Sequence, residues 1–230
     1  MPLTSPDFDP RAVDSYRHRG QRRALVAALR GRGIGDERVL AALGAVPRHL
    51  FFAPAFQAHA HQDQAFPIGE GQTISQPYTV AYQTELLAPA PHHRVLEVGT
   101  GSGYQCAVLL ELTPYVSSIE LSRILFDATR LRLATLRSPG SPAPHLRCGD
   151  GSLGWPERAP FDRILVTAGA PGLPPALLRQ LAVGGRLVIP VGSAHKQRMV
   201  LVVREGPDAF AREELAPFRF VPLLGAGGWG

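Results

Sequence analysis

The sequence predicts an α/β fold: one domain on a doubly wound, mostly parallel sheet, with an N-terminal helical layer and a C-terminal antiparallel hairpin. Three observations predict it. From residue 94, short apolar runs that scarcely alternate are separated by segments of helical period, as strands covered on both faces require. The first run enters a turn with Gly99, Gly101 and Gly103, the kind of turn that takes a strand into a helix. Amphipathic segments precede this region, and two strand-like runs flanking "GPDAF" follow it.

Residues 11–32 read as a helix that ends at Gly33 and Gly35. Val13, Tyr16, Val26 and Leu29 interleave at near-helical spacing with Arg17, Arg19, Arg22, Arg23, Arg30 and Arg32, so the arginines are expected on a solvated face. Asp36 is the expected N-cap of "ERVLAALGAV", which stops before Pro47. Gly69, Gly71 and Pro77 punctuate "FPIGEGQTISQPY" at 66–78, which is expected to be a loop. A helix follows over 78–88. Strands are then expected at 94–98, 115–120, 145–149, 161–169 and 185–192, and helices at 104–112, 122–136 and 174–182. "SPGSPAP" at 138–144 reads as a loop, "QRMVLVVRE" and "AREELAPFRFVPL" as a hairpin, and "GAGGWG" at 225–230 as a floppy tail. No internal repeat is seen. The single domain, 1–230, thus divides into N-terminal helices (1–65), a loop (66–78), an α/β core (94–192) and a hairpin (197–224).

The chain has 230 residues, 45% hydrophobic and 19% charged, enough for a full core. Its opening, "MPLTSPDFDP", has no apolar core or basic leader, so no signal peptide is expected, and no apolar run approaches the ~18 residues a membrane span needs. Cys106 and Cys148 lack metal-type spacing and suit a reducing cytoplasm as small core residues. The net charge of +5 and pI of about 9.8 raise the question of nucleic acid. Only Lys196 among the 24 basic residues is not Arg, a skew that points to coding bias rather than a binding surface. No nucleic-acid or membrane partner is expected, and a monomer is.

The glycine turn "EVGTGSGY" departs from the dinucleotide fingerprint, since Tyr104 stands where its last glycine would be. Its neighbours carry more information. Glu97 precedes the turn and suits a cationic ligand. Glu120 ends the next strand, where a carboxylate can accept both ribose hydroxyls. Asp150 follows the third strand in "CGDGS" and is placed to accept from an adenine amino group. Acids at three successive strand ends, without a basic phosphate clamp, fit S-adenosyl-L-methionine.

Seven strings then matter together: "VPRHLFFAP" at 46–54, "FPIGEGQTISQP" at 66–77, "VLEVGTGSGYQCAVL" at 95–109, "CGDGSLGW" at 148–155, "APFDRILVTAG" at 159–169, "GGRLVIPVG" at 184–192 and "RFVPLLG" at 219–225. With these strings the chain resembles the protein-L-isoaspartate O-methyltransferases, in order and over most of its length. The resemblance implies a Rossmann-like S-adenosylmethionine-dependent methyltransferase fold. It also implies methyl transfer to the side carboxylate of L-isoaspartyl residues in damaged proteins and peptides; the ester closes to a succinimide that reopens partly to aspartate. It further implies that Gly99, Thr100, Gly101, Ser102 and Gly103 line the cofactor, with Glu120 and Leu121 at the ribose and Asp150 and Gly151 at the adenine. Thr73, Ile74 and Ser75 match the active-site loop, with Ser75 at the active-site serine, and Phe220, Val221, Pro222 and Leu223 would cradle the substrate backbone. His61 stands where Tyr is usual and Gly169 where Ala is usual, and "RSPGSPAPH" at 137–145 replaces a shorter turn.

A serine nucleophile would need a base and a strand–helix elbow, and "TISQP" offers neither. A carboxylate acceptor is ionised at neutral pH, so the task is alignment, and Ser75 with Thr73 is expected to orient it. The bland alternative is a hydroxyl bonding its own backbone. His59, His61 and Asp63 in "HAHQD" are metal ligands in type but lack a fourth partner, and no metal is expected. Nucleic-acid methylation, metal-assisted catechol methylation, an NAD dehydrogenase and a scaffold without catalysis are rivals. The first two lack a suitable motif after the fourth strand, Tyr104 disfavours the third, and an intact "GQTIS" the last.

Overall fold

A computed structural model of the chain describes residues 14–137 and 140–229. "MPLTSPDFDP", Val13 and residues 138–139 of the expected loop lie outside them. Helix α1 spans Tyr16–Gly31 and α2 spans Glu37–Ala45. Asp36 caps α2 by accepting from the Arg38 and Val39 amides, which satisfies donors the first turn leaves orphaned. The arginine face is not all solvated. Arg22 is buried where α1 meets α2: Nε donates to the Gly44 carbonyl at 2.7 Å and the two Nη atoms fork onto Asp14 at 2.9 and 2.8 Å. Arg32 pairs with Asp63 and lies 3.8 Å over the Tyr78 ring. Tyr16, by contrast, is 87% exposed, because it opens the helix before the packed part begins.

Residues 66–78 are not an irregular loop. Strands β1 (Phe66–Gly69) and β2 (Gln72–Ile74) pair antiparallel, Phe66 opposite Ile74. Gly69, Glu70 and Gly71 make the turn at φ of 96°, 52° and 67°. The glycines thus mark a hairpin turn, where positive φ costs least. Helix α3, Pro77–Leu87, starts with proline at its first position.

The main sheet contains β3 (Val95–Val98), β4 (Val116–Glu120), β5 (His145–Cys148), β6 (Phe161–Val166), β7 (Leu181–Gly192), β8 (Gln197–Arg204) and β9 (Phe210–Phe218). Its order is β5-β4-β3-β6-β7-β8-β9, parallel through β7 and antiparallel at β8 and β9. Between strands run α4 (Tyr104–Leu110), α5 (Arg123–Leu136) and α6 (Pro175–Gln180). Side chains of β3 and β4 are buried on both faces. One core joins the N-terminal helices and α4 to Val95, Leu165 and Val188; the other joins α6 to Leu96, Ile164 and Leu187. This parity, period two along each strand, decides which strand residues can reach a site. Strand β5 is an edge, so Cys148 is half-buried rather than a core residue. The C-terminal segment is packed, not floppy: Trp229 Nε1 donates to the Gly169 carbonyl at 3.0 Å and its amide to the Leu223 carbonyl at 2.7 Å.

Candidate active site

A cavity of about 240 Å³ opens beyond the carboxyl ends of β3, β4 and β6, where strand order reverses and ligands of such sheets bind. Its floor is the turn after β3. Gly99 adopts φ of 95°, and a Cβ there would lie 2.5 Å from the Thr167 hydroxyl. That hydroxyl donates to the carbonyls of Val98 and Gly99 at 3.0 and 2.8 Å, tying the turn to the end of β6. The hairpin lies above, with Ile68 reaching to 3.5 Å of where a Gly101 side chain would begin.

Glu120 lines the cavity with its carboxylate held in place: Oε2 accepts from the Gly101 amide at 2.7 Å and Oε1 from the Ser122 amide at 2.9 Å. Each oxygen keeps a lone pair for a ligand, so a carboxylate preset at this strand end suits a ribose diol. Gly99, Thr100, Gly101, Ser102, Leu121 and Gly151 also line the cavity, as do Thr73, Ile74, Ser75, Val221, Pro222 and Leu223.

Four expected residues stand elsewhere. Glu97 is fully buried and shares the face of Val95, beneath α4. It accepts from Ser118 at 2.5 Å, and Ser118 in turn bonds the Thr100 hydroxyl at 2.6 Å. Burial pushes its carboxyl up to about 8, opposed in part by bonds from Ser118 and Cys106. It is a neutral acid supporting the turn from below, not a wall residue. Gly103 also points away, because a Cβ there would strike Thr129 and Leu133 of α5. Asp150 is engaged by the C-terminal segment: Oδ1 accepts the Ser152 amide at 2.9 Å and hydroxyl at 2.6 Å, and Oδ2 accepts the Ala226 amide at 2.8 Å. Burial works against its charge, but the bonds from Ser152 and Ala226 prevail and hold the carboxyl below its usual range. Phe220 backs the wall, its amide donating to Gln197 and its ring packing near Phe218.

At the acceptor end, neither the Ser75 nor the Thr73 hydroxyl has a hydrogen-bond partner among the described residues. Hence Ser75 is neither turned back on its own backbone nor paired with a base. No Lys or Arg lines the cavity among the described residues. Wall residues the sequence reading missed include Gln72, Tyr104, Gln105, Thr167 and Leu224. Adjacency to "TIS" and to the glycine turn was the available signal for Gln72, Tyr104 and Gln105; for Thr167 there was none.

The "HAHQD" residues separate. Asp63 binds Gln76 and the Tyr78 amide, His59 meets Gln62, and His61 turns toward His18 and His49, at ring distances of 6.1 and 5.8 Å. Asp14, His18 and His49 bring potential ligand atoms within 4.8 Å of one another. The Asp14 carboxylate is already spent on Arg22, and the His18 and His49 rings stack at 3.8 Å, a poor geometry for sharing one ion. Gly169, where a Cβ would press to 2.8 Å on Gln197, accommodates that buried side chain.

A family model described as protein-L-isoaspartate(D-aspartate) O-methyltransferase matches residues 20–227. The chain is 54% identical over 216 residues to a protein-L-isoaspartate O-methyltransferase of Cytophaga hutchinsonii, covering 94% of this chain and 96% of that one. It is 50% identical over 223 residues to protein-L-isoaspartate O-methyltransferase 2 of Pelobacter propionicus, covering 96% and 98%. Among solved structures, one described as a protein-L-isoaspartate O-methyltransferase superposes with a TM-score of 0.78 at 28% identity, covering 90% of this chain and 67% of that one. A putative enzyme of the same description from Plasmodium falciparum, solved with S-adenosyl-L-homocysteine, shares the fold with a TM-score of 0.76 at 23% identity over 88% and 98% of the two chains. With a matching family model over nearly its whole length and relatives at half identity, this chain belongs to the protein-L-isoaspartate O-methyltransferase family.

Proposed function

We propose that the cavity is where this enzyme, a protein-L-isoaspartate O-methyltransferase, methylates the side carboxylate of L-isoaspartyl residues in damaged proteins and peptides, the step that starts their return to L-aspartyl. The methyl donor is S-adenosyl-L-methionine, which supplies a methyl group on a sulfonium. The donor set fits it. Glu120 offers a fixed carboxylate to a ribose, the glycine turn lets a ligand approach the backbone, and the wall has no phosphate clamp. Thr73, Ile74, Gly99–Ser102, Leu121 and Gly151 complete the proposed cofactor end, and Glu97, Gly103 and Asp150 support it from behind.

The observation that carries the reading is an acceptor end with the free hydroxyls of Ser75 and Thr73 and, among the described residues, no cationic side chain; the charged groups that line the cavity are the carboxylates Glu70 and Glu120. Transfer of a methyl cation to an anion cancels charge as the bond forms. A guanidinium or ammonium on the acceptor would stabilise the ground state more than the transition state and slow the step. Neutral hydroxyls orient one carboxylate oxygen while leaving the other reactive, and alignment of that kind supplies up to ~7–11 kcal/mol. Val221, Pro222 and Leu223, which line the cavity and pair with Gly169 just beyond β6, are the proposed cradle for the peptide backbone.

No helix of the described residues is long and apolar enough to cross a membrane. We place the enzyme in the cytoplasm, where both free thiols stay reduced, and take it to act as a monomer. The test is labelled methyl transfer to two peptides identical except for isoaspartyl against aspartyl. Label in the isoaspartyl peptide alone is expected; equal labelling overturns the reading.

A further inference from the structure

We infer that Arg48 is a positioning residue for methyl transfer, holding Ser75 from behind the cavity wall. This rests on the reading of the acceptor end above. Arg48 opens a short 3-10 turn, Arg48–Phe51, after Pro47, and it is the largest side chain among the fully buried ones. No carboxylate forms an ion pair with it among the described residues. A buried cation without one is costly, so what it does instead is informative.

Two of its three guanidinium nitrogens donate to peptide carbonyls. Nε donates to the Ala60 carbonyl at 2.8 Å and Nη2 to the Ser75 carbonyl at 3.0 Å, while Nη1 has no hydrogen-bond partner among the described residues. Its Cζ lies 4.6 Å from the centre of the ring of Tyr104, a wall residue at the start of α4. Burial draws the guanidinium down to about 10, which leaves it a cation at neutral pH. One side chain therefore grips the acceptor segment through the Ser75 carbonyl and leans on the helix that leads out of the glycine turn. Asp63 holds the same segment from the next residues, accepting from the Gln76 side chain at 3.0 Å and the Tyr78 amide at 2.8 Å. Ser75 sits between these two anchors, and its hydroxyl, without a hydrogen-bond partner among the described residues, takes its place from the backbone. Arg48 does not line the cavity, so its charge stays off the substrate's carboxylate, which a charge-cancelling transfer favours.

The test is a double-mutant cycle of Arg48→Met and Ser75→Ala, with Arg48→Lys beside it. The readouts are kcat and KM on an isoaspartyl peptide and S-adenosyl-L-homocysteine affinity by calorimetry. Misplacing an aligned group by about 1 Å costs on the order of 100-fold. Arg48→Met should accordingly lower kcat about 10- to 100-fold, with KM and S-adenosyl-L-homocysteine affinity within about threefold. Arg48→Lys, able to bond one carbonyl but not both, should recover part of the loss. In the Ser75→Ala background, where there is no hydroxyl left to position, Arg48→Met should cost no more than about twofold, the non-additivity expected of residues that act as a unit. Should Arg48→Met not fold, Arg48→Lys carries the same cycle. Losses that multiply across the two backgrounds, or wild-type kcat in the Arg48 variants, overturn the proposal alone. Full turnover in Ser75→Ala overturns the reading of the acceptor end, and the proposal with it.

Discussion

Glu97→Gln should stabilise this protein at neutral pH and weaken it slightly in acid. The carboxyl is fully buried under α4, and burial lifts it from 4.5 to about 8. In the folded chain it is neutral at pH 7, whereas the unfolded chain ionises it. At about 1.36 kcal/mol per pH unit, that difference favours unfolding by about 3 kcal/mol at pH 7. The sign follows from a raised folded value: stability is whole below 4.5 and is lost as pH rises toward 8. Glutamine has the same shape and no charge to lose. Its amide must still replace the bonds from Ser118 and Cys106, so a net gain of about 1–2 kcal/mol is expected. For a chain of this size that is about 2–8 °C in Tm. Thermal unfolding of both proteins at pH 4, 6, 7 and 8 is the assay, with the gap opening between pH 4.5 and 8. A variant weaker by the same amount at every pH refutes the reasoning, since the carboxylate would then be ionised and paired. Affinity for S-adenosyl-L-methionine should change less than threefold, because Glu97 does not line the cavity; a large loss by calorimetry would return it to the cofactor.

Ser75→Ala should leave cofactor affinity nearly intact and cut turnover about 10- to 1000-fold, since other donors remain; a covalent adduct on Ser75 in intact mass during turnover would make it a nucleophile instead. Glu120→Gln should weaken S-adenosyl-L-methionine by about 1.5–3 kcal/mol, the range for a charged hydrogen bond, and unchanged calorimetry would move the ribose elsewhere. RNA or DNA at physiological salt should neither accept label nor compete with peptide, and salt-sensitive competition would turn the +5 charge into a binding surface. Burial first, and then the neighbouring His49, Arg22, His18 and Arg48, push the His61 imidazole down to about 4. Its contribution is present above 6.5 and is lost as pH falls through 4. Allowing for solvent screening of a half-buried ring, His61→Tyr should remove about 1–2 kcal/mol of acid sensitivity over that window, and unfolding profiles that stay parallel would refute it.

The alternation of strands and helices, the cap at Asp36 and the glycine turn were legible in the sequence alone, whereas Ser75 was singled out by the family resemblance. Each of the first three is a local matter: hydrophobic period, a capping side chain, backbone that needs glycine. The hairpin at 66–74 was hidden because "FPIG" and "QTI" are too short for a periodic signal, although the glycines that make its turn were in plain view. Which acids face the ligand was beyond local reading. Glu97 and Glu120 both lie on strands at the glycine turn, yet strand parity sends Glu97 under α4, and the Gly101 and Ser122 amides hold Glu120 in the cavity. Asp150 meets the amide of Ala226, 76 residues away, and Arg48 meets the carbonyl of Ser75, 27 residues away. Such partners are chosen by how the layers pack, and no window of sequence carries them. Only the tertiary structure could turn "GAGGWG" from a tail into the partner of Asp150, and a buried arginine into the support of the serine.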